Sequence, residues 1–125
     1  MDAGARISIV DDDALVRRAL GRLCKLSGYV VELFESGEEF LDAKNADETD
    51  CLILDVHLPG RSGLLLQQDL QAAGKHVPIV FVTAHEDERS RNQAIQTGAV
   101  EFMQKPLDNE RLLKVIQKAL HPSPN

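Results

Sequence analysis

The chain lacks any apolar run that could cross a membrane: stretches such as residues 79–82 fall far short of the ~20 apolar residues a spanning helix needs. It also lacks a basic and then apolar start. Residues 1–6 are short and polar and strand-forming sequence follows at once, so no signal peptide is expected. Positive charge is scarce. With Lys and Arg totalling 14 against 20 Asp and Glu, the net charge of −6 makes the chain a poor nucleic-acid binder by itself. Cysteine is limited to Cys24 and Cys51, which show neither metal-ligand nor redox spacing. Both sit in apolar patterns and read as buried reduced thiols of a cytoplasmic protein. A length of 125 residues leaves room for one core and none for a separate second domain, and there is no internal repeat or low-complexity tract.

What the chain does contain is an alternation of two periodicities. Residues 6–10, Arg-Ile-Ser-Ile-Val, alternate and are β-branched, which predicts a strand. Residues 14–27 carry Val16, Ala19, Leu20, Leu23 and Leu26 at helical spacing, with Arg17, Arg18, Arg22 and Lys25 mainly on the outer face and Gly28 placed as a stop. A second strand is expected at 29–34. Ser36-Gly37-Glu38-Glu39 has the form of a capping box opening a short helix with Phe40 and Leu41 inward, and 45–50 read as a polar loop. Residues 51–54 predict a third strand, buried on both faces and ended by Asp55, with Pro59, Gly60 and Gly63 forcing a loop. A Leu-rich helix is expected at 63–73 and a fourth strand at 78–82. The stretch 86–97 is helical in period but unusually polar, with Ala94 and Ile95 nearly its only inward candidates. A fifth strand at 100–103 and an amphipathic helix at 110–120 complete the series, and 121–125 have linker composition.

Five successive β-α units imply an α/β fold with a mostly parallel sheet and helices on both faces. For five units the flavodoxin-like strand order 2-1-3-4-5 is the commonest solution.

In such a sheet every strand's carboxyl end lies on one rim, where open α/β sheets bind ligands. Four of the five predicted strands present a charged or reactive residue there: Asp11 and Asp12, Asp55, Thr83, and Lys105. The second strand offers only Glu35 and Ser36. Taken alone, Asp55 reads equally well as a loop residue capping the next helix, and any one of these charges as merely solvated. As a set they describe something narrower. Three converging carboxylates repel one another, and a hard divalent cation, Mg²⁺ with oxygen ligands and waters, removes that repulsion. Lys105 adds a fixed positive charge and Thr83 a hydroxyl donor, which together make a site for a phosphoryl group carried on a carboxylate.

The motifs Ile9-Val10-Asp11-Asp12-Asp13, Asp55 with Leu58-Pro59-Gly60, Thr83-Ala84 and Lys105-Pro106 together resemble the signature set of response-regulator receiver domains. The resemblance runs from Ile7 to about Leu120 and is nearest to the CheY-like receivers of FixJ/NarL-type transcriptional regulators. It implies that Asp55 is the phospho-acceptor, charged by a sensor histidine kinase. It also implies that Asp12, Asp55 and the backbone carbonyl of His57 ligate Mg²⁺, with Asp11 helping through water. Thr83 and Lys105 would then hold phosphoryl oxygens, and Thr83 and Phe102 would form a switch that reshapes the 86–120 face. Such a domain is cytoplasmic, is not an enzyme in the ordinary sense, and binds neither nucleic acid nor membrane directly. It controls an effector, here expected to be a helix-turn-helix domain lying outside this chain. It can also pair with a second copy through the 86–120 face on phosphorylation. Residues 1–121 are then the receiver, and 122–125 the start of a linker or disordered tail. Lys105-Pro106 is where the family has a cis peptide bond. Phe102 lacks the hydroxyl that many relatives carry there. His57 and His85 flank the mouth of the site, either tuning phosphoryl lifetime or lying exposed in loops, and His76 and His121 read as surface positions.

Two other readings stay open on the sequence. One is an aspartate-nucleophile phosphohydrolase of the haloacid-dehalogenase type, in which Asp11 attacks and Asp11-x-Asp13 is the paired-acid motif. The other is a receiver-like interaction module that is never phosphorylated. A flavodoxin is excluded, because three aspartates after the first strand would repel its flavin phosphate.

Overall fold

In the computed structural model, residues 4–85 and 87–121 are described. Five strands form one parallel sheet: β1 (Arg6–Val10), β2 (Val30–Phe34), β3 (Cys51–Asp55), β4 (Ile79–Thr83) and β5 (Glu101–Gln104), in the order β2-β1-β3-β4-β5. Five helices alternate with them: α1 (Ala14–Leu26), α2 (Gly37–Asp42), α3 (Gly63–Ala72), α4 (Glu88–Gln96) and α5 (Asn109–Leu120). This is the doubly wound arrangement expected from the sequence.

The central strands β3 and β4 are buried along their whole length, whereas the edge strands β2 and β5 are only partly covered. Side chains alternate across a strand, so an unbroken apolar run feeds both faces of the sheet. Ile7, Ile9, Ile53, Val80 and Val82 meet Leu20 of α1 and Leu112 and Ile116 of α5 on one face. Val10, Leu52, Leu54 and Phe81 meet Phe40, Leu66 and Ala94 of α2, α3 and α4 on the other. Cys24 and Cys51 are both free and fully buried, and burial pushes their thiols up to about 11 and about 12, so neither is a thiolate at neutral pH.

Each helix opens on a polar cap. Asp13, Ser36, Ser62, Asp87 and Asp108 accept from backbone amides of the first turns of α1 to α5 respectively. These caps also set boundaries that periodicity left loose. Asp87 starts α4 two residues later than the sequence reading, whose first residue, Glu86, lies outside the described residues, as do 122–125.

Some inward assignments were wrong. Ala19, Leu26 (77% exposed), Leu41 and Ile95 face solvent, because the true inward line of α1 runs through Leu20 and Cys24 and that of α4 through Ala94. A neighbouring residue is rotated by about 100° on a 3.6-residue helix, and an apolar type alone does not pull it in. The polar loop at 45–50 also contains a 3₁₀ turn, Ala46–Glu48. Among the described residues no helix is long and apolar enough to cross a membrane.

Candidate functional site

Asp11 follows β1 directly, and its amide still bonds to Phe34 O at 3.1 Å, which carries the sheet pairing one residue further. Its side chain is fully buried, and Oδ1 accepts from the Asp13 amide at 2.9 Å. Asp13 turns away to cap α1 through Leu15 N at 2.9 Å. Between them Asp12 is left at the surface, at the mouth of the rim. Asp55 is the last residue of β3, is 4% exposed, and accepts at Oδ1 from the His57 amide at 3.1 Å.

Gly63 lets α3 start this close. Its amide bonds to Val56 O at 2.9 Å, and a Cβ there would lie 2.2 Å from the carbonyl oxygen of Asp55. Lys105 follows β5, its amide tied to Thr83 O at 2.7 Å and its peptide to Pro106 cis. The extended side chain brings Nζ to 2.8 Å from Asp11 Oδ2 and 3.5 Å from Asp55 Oδ2. Thr83 is buried, with its hydroxyl donating to His85 O at 3.1 Å. Phe102 is buried against Phe81, ring centroids 6.1 Å apart, and donates no polar group to the site. His57 and His85 are both exposed.

The electrostatics follow from this packing. Burial pushes the Asp55 carboxyl above its ordinary value and Asp11 adds to the push, while the His57 amide and Lys105 pull it down without cancelling it. At Lys105 burial works to lower the pKa, and Asp11 and Asp55 outweigh it, so the ammonium is held above the ordinary lysine value. Asp11 Oδ2 is paired with that ammonium yet accepts no well-directed hydrogen bond, which leaves a buried acceptor oxygen with spare capacity beside Lys105. Asp11, Asp12 and Asp55 each offer a carboxylate oxygen within 4.8 Å of the others, a cluster that could hold a metal ion. An all-oxygen set of this kind fits a hard cation.

Of the rim residues singled out in the sequence, Asp11, Asp12, Asp55 and Lys105 therefore meet in one place, while Thr83 is joined to them only through its carbonyl, which accepts from the Lys105 amide. Two neighbours did not stand out in the sequence. Arg17, assigned with Arg18, Arg22 and Lys25 mainly to the outer face of its helix, instead curls back over the rim, with Nη1 donating to Asp11 O at 2.7 Å and Nη2 lying 3.4 Å from Glu35 Oε1. The available signal was that a long helical side chain leans toward the helix N-terminus, which here is the rim. Glu35, noted only as the weak offering of β2, is its second anchor. A cavity of about 490 Å³ lies away from this cluster, lined by Gln67, Leu70, Ile79 and Lys118 among others, and shares none of the rim residues.

Comparison with known proteins bears on the family and the fold. The family model described as the response regulator receiver domain matches residues 7–117. The response regulator protein TodT of Pseudomonas putida is 42% identical over 123 residues, covering 98% of this chain and 54% of TodT. The transcriptional regulatory protein FixJ of Bradyrhizobium diazoefficiens is 34% identical over 120 residues, covering 96% of this chain and 58% of FixJ. The chain thus spans about half the length of the curated relatives it matches. Among solved structures, the response regulator StyR superposes with a TM-score of 0.86 at 39% identity, covering 94% of this chain and 60% of that one. A crystal structure of FixJ-N superposes with a TM-score of 0.84 at 28% identity, covering 97% of both chains. The chain belongs to the response-regulator receiver domain family.

Proposed function

We propose that this domain accepts a phosphoryl group on Asp55 from a phosphohistidine of a sensor histidine kinase, in a Mg²⁺-dependent step. The observation that carries this reading is the junction of Asp11, Asp55 and Lys105 at one rim, with the ammonium 2.8 and 3.5 Å from the two buried carboxylates. Mg²⁺ held by Asp12, Asp55 and the His57 carbonyl, with Asp11 acting through water, would neutralise charge on the phosphoryl oxygens. An Asp55 oxygen bonds to phosphorus as the bond to the donor's imidazole nitrogen breaks, and that electron pair returns to the imidazole. Asp55 must be ionised to attack, and the Lys105 ammonium and the His57 amide are what favour its charged form.

The aspartyl phosphate adds up to about two negative charges beside existing carboxylates, so Lys105 is needed to hold it. The Thr83 hydroxyl, which now donates to His85 O, turns to a phosphoryl oxygen, and Phe102 moves into the space released. Only Ala94 of α4 is buried, so that helix has little apolar packing to resist a shift. The 86–120 face then signals to an effector, a DNA-binding domain in the longer protein, or to a second copy. On this reading residues 1–121 are the receiver and 122–125 begin the linker. The domain works in the cytoplasm and its chemistry is limited to its own phosphorylation and slow dephosphorylation. The phosphohydrolase reading is weakened because Asp13 spends its carboxylate on the α1 cap rather than facing Asp11 as a second acid.

Intact mass after incubation with acetyl phosphate tests the proposal. A single phosphoryl adduct that requires Mg²⁺ and vanishes in Asp55→Asn supports it. An adduct that survives Asp55→Asn and disappears in Asp11→Asn favours the phosphohydrolase.

A further inference from the structure

We infer that Arg17 is a positioning residue for cation binding at this rim: its guanidinium fixes the peptide between Asp11 and Asp12 and thereby aims the Asp12 carboxylate. The inference rests on the reading of the rim as a metal site and names a residue outside the set assigned to it. Asp12 is exposed, and no hydrogen bond or ion pair holds its side chain among the described residues. What can hold it is its backbone. The carbonyl of Asp11, which belongs to the same peptide plane as the Asp12 amide, accepts from Arg17 Nη1 at 2.7 Å. Because a peptide is planar, restraining its oxygen fixes the axis on which Asp12 hangs. The Asp13 amide, bonded to Asp11 Oδ1 at 2.9 Å, holds the peptide on the other side, so the direction in which the Asp12 Cα–Cβ bond leaves is restrained from both ends.

The other half of the fork faces Glu35 at 3.4 Å, so one side chain staples the turn after β1 to the turn after β2. The Arg17 side chain is only 12% exposed, although it carries a full charge and stands on a surface helix. A planar guanidinium can serve a carbonyl and a carboxylate at once, whereas an ammonium is a single point donor on a flexible stem. Glu35 thereby gains a role that its place at the end of β2 alone did not give it.

Simple electrostatics and positioning make opposite forecasts here. Arg17 is a cation close to a carboxylate cluster and repels a second cation there, so on Coulomb grounds alone its removal would tighten cation binding. As a positioning residue its removal must weaken binding, and changes to groups that orient metal ligands typically cost about 10- to 100-fold in affinity. The experiment is a titration of the unphosphorylated protein with Mn²⁺, read from the electron paramagnetic resonance signal of the free ion, with Mg²⁺ as competitor. Thermal unfolding of each variant is recorded beside it. For Arg17→Met we expect Mn²⁺ binding weakened about 10-fold. Arg17→Lys keeps the charge and the fold and is expected to lose most of the same factor. Binding as tight as wild type, or tighter, in both variants overturns the inference. A wild-type protein that binds no Mn²⁺ removes the metal site itself, and this inference with it.

Discussion

Replacing Gly63 with Ala places a methyl group where the fold has backbone. The new Cβ would sit 2.2 Å from the Asp55 carbonyl oxygen and 3.1 Å from both the Asp55 carbonyl carbon and the Val56 Cα. Ordinary contact begins at 3.4 Å, so the N-terminus of α3 and the end of β3 must separate by about 3.4 − 2.2 = 1.2 Å. All three obstructing atoms are backbone, and no rotamer change can relieve them. The separation also stretches the Gly63 N to Val56 O hydrogen bond of 2.9 Å. Overpacking of a filled site costs about 1–3 kcal/mol, and loss of one such hydrogen bond about 1 kcal/mol more. We expect Gly63→Ala to lose roughly 2–4 kcal/mol of stability, read as a lowered urea midpoint at unchanged m-value. Because two of the three displaced atoms belong to Asp55, phosphoryl acceptance from acetyl phosphate should fall even at temperatures where the variant is fully folded. A urea midpoint equal to wild type would refute the steric argument.

Other outcomes follow from the charges and from one buried amide. Lys105→Met strips the ammonium from two buried carboxylates, a change of the kind that costs about 3–5 kcal/mol. Thermal unfolding in EDTA should show the loss, Mg²⁺ should recover part of it, and an unchanged melting temperature in EDTA would contradict the pairing. The Asp55 carboxyl is raised above its ordinary 3.8, so the folded state binds the extra proton more readily than the unfolded chain. Metal-free stability should therefore decline as pH rises from 3.8 through the raised value and level off above it, and this component should be missing from Asp55→Asn in paired denaturation curves. Lys105, whose pKa is also raised, keeps its contribution throughout that range and loses it only as pH climbs beyond 10.5 through its raised value. Gln67, 3% exposed, donates from Nε2 to Ala94 O at 3.0 Å and leaves Oε1 without a partner, so Gln67→Leu should be close to neutral in global stability. The same change should speed hydrogen exchange of the α4 amides, and unaltered protection there would show that this tie does not hold the helix.

The rim was readable in the sequence because each of its residues stands at or just after the end of a predicted strand. The run Cys51-Leu52-Ile53-Leu54 has the length and bulk of a doubly covered strand, which puts Asp55 at its carboxyl end, and Thr83 follows the run 79–82 in the same way; Asp11 and Lys105 follow strands read from alternation and from the β-α order. The strand order followed from β-α alternation. What the sequence concealed depends on direction rather than type. Arg17 looks like any outer-face cation until the lean of a helical side chain toward the N-terminus is combined with the position of Asp11. Gln67 drew no reading in the sequence, yet it is buried and donates to Ala94 O of α4. Leu26, Leu41 and Ile95 show the reverse, since apolar type does not decide burial where a short helix has room for only one inward line.

The most direct test of the account is to locate the phosphoryl group. Borohydride reduces an aspartyl phosphate to homoserine, so treating the acetyl-phosphate-charged protein and sequencing its peptides by mass spectrometry marks the residue that was modified. The account predicts homoserine at position 55 alone, formed only when Mg²⁺ was present during charging. Homoserine at position 11, or at 55 equally without Mg²⁺, would contradict it.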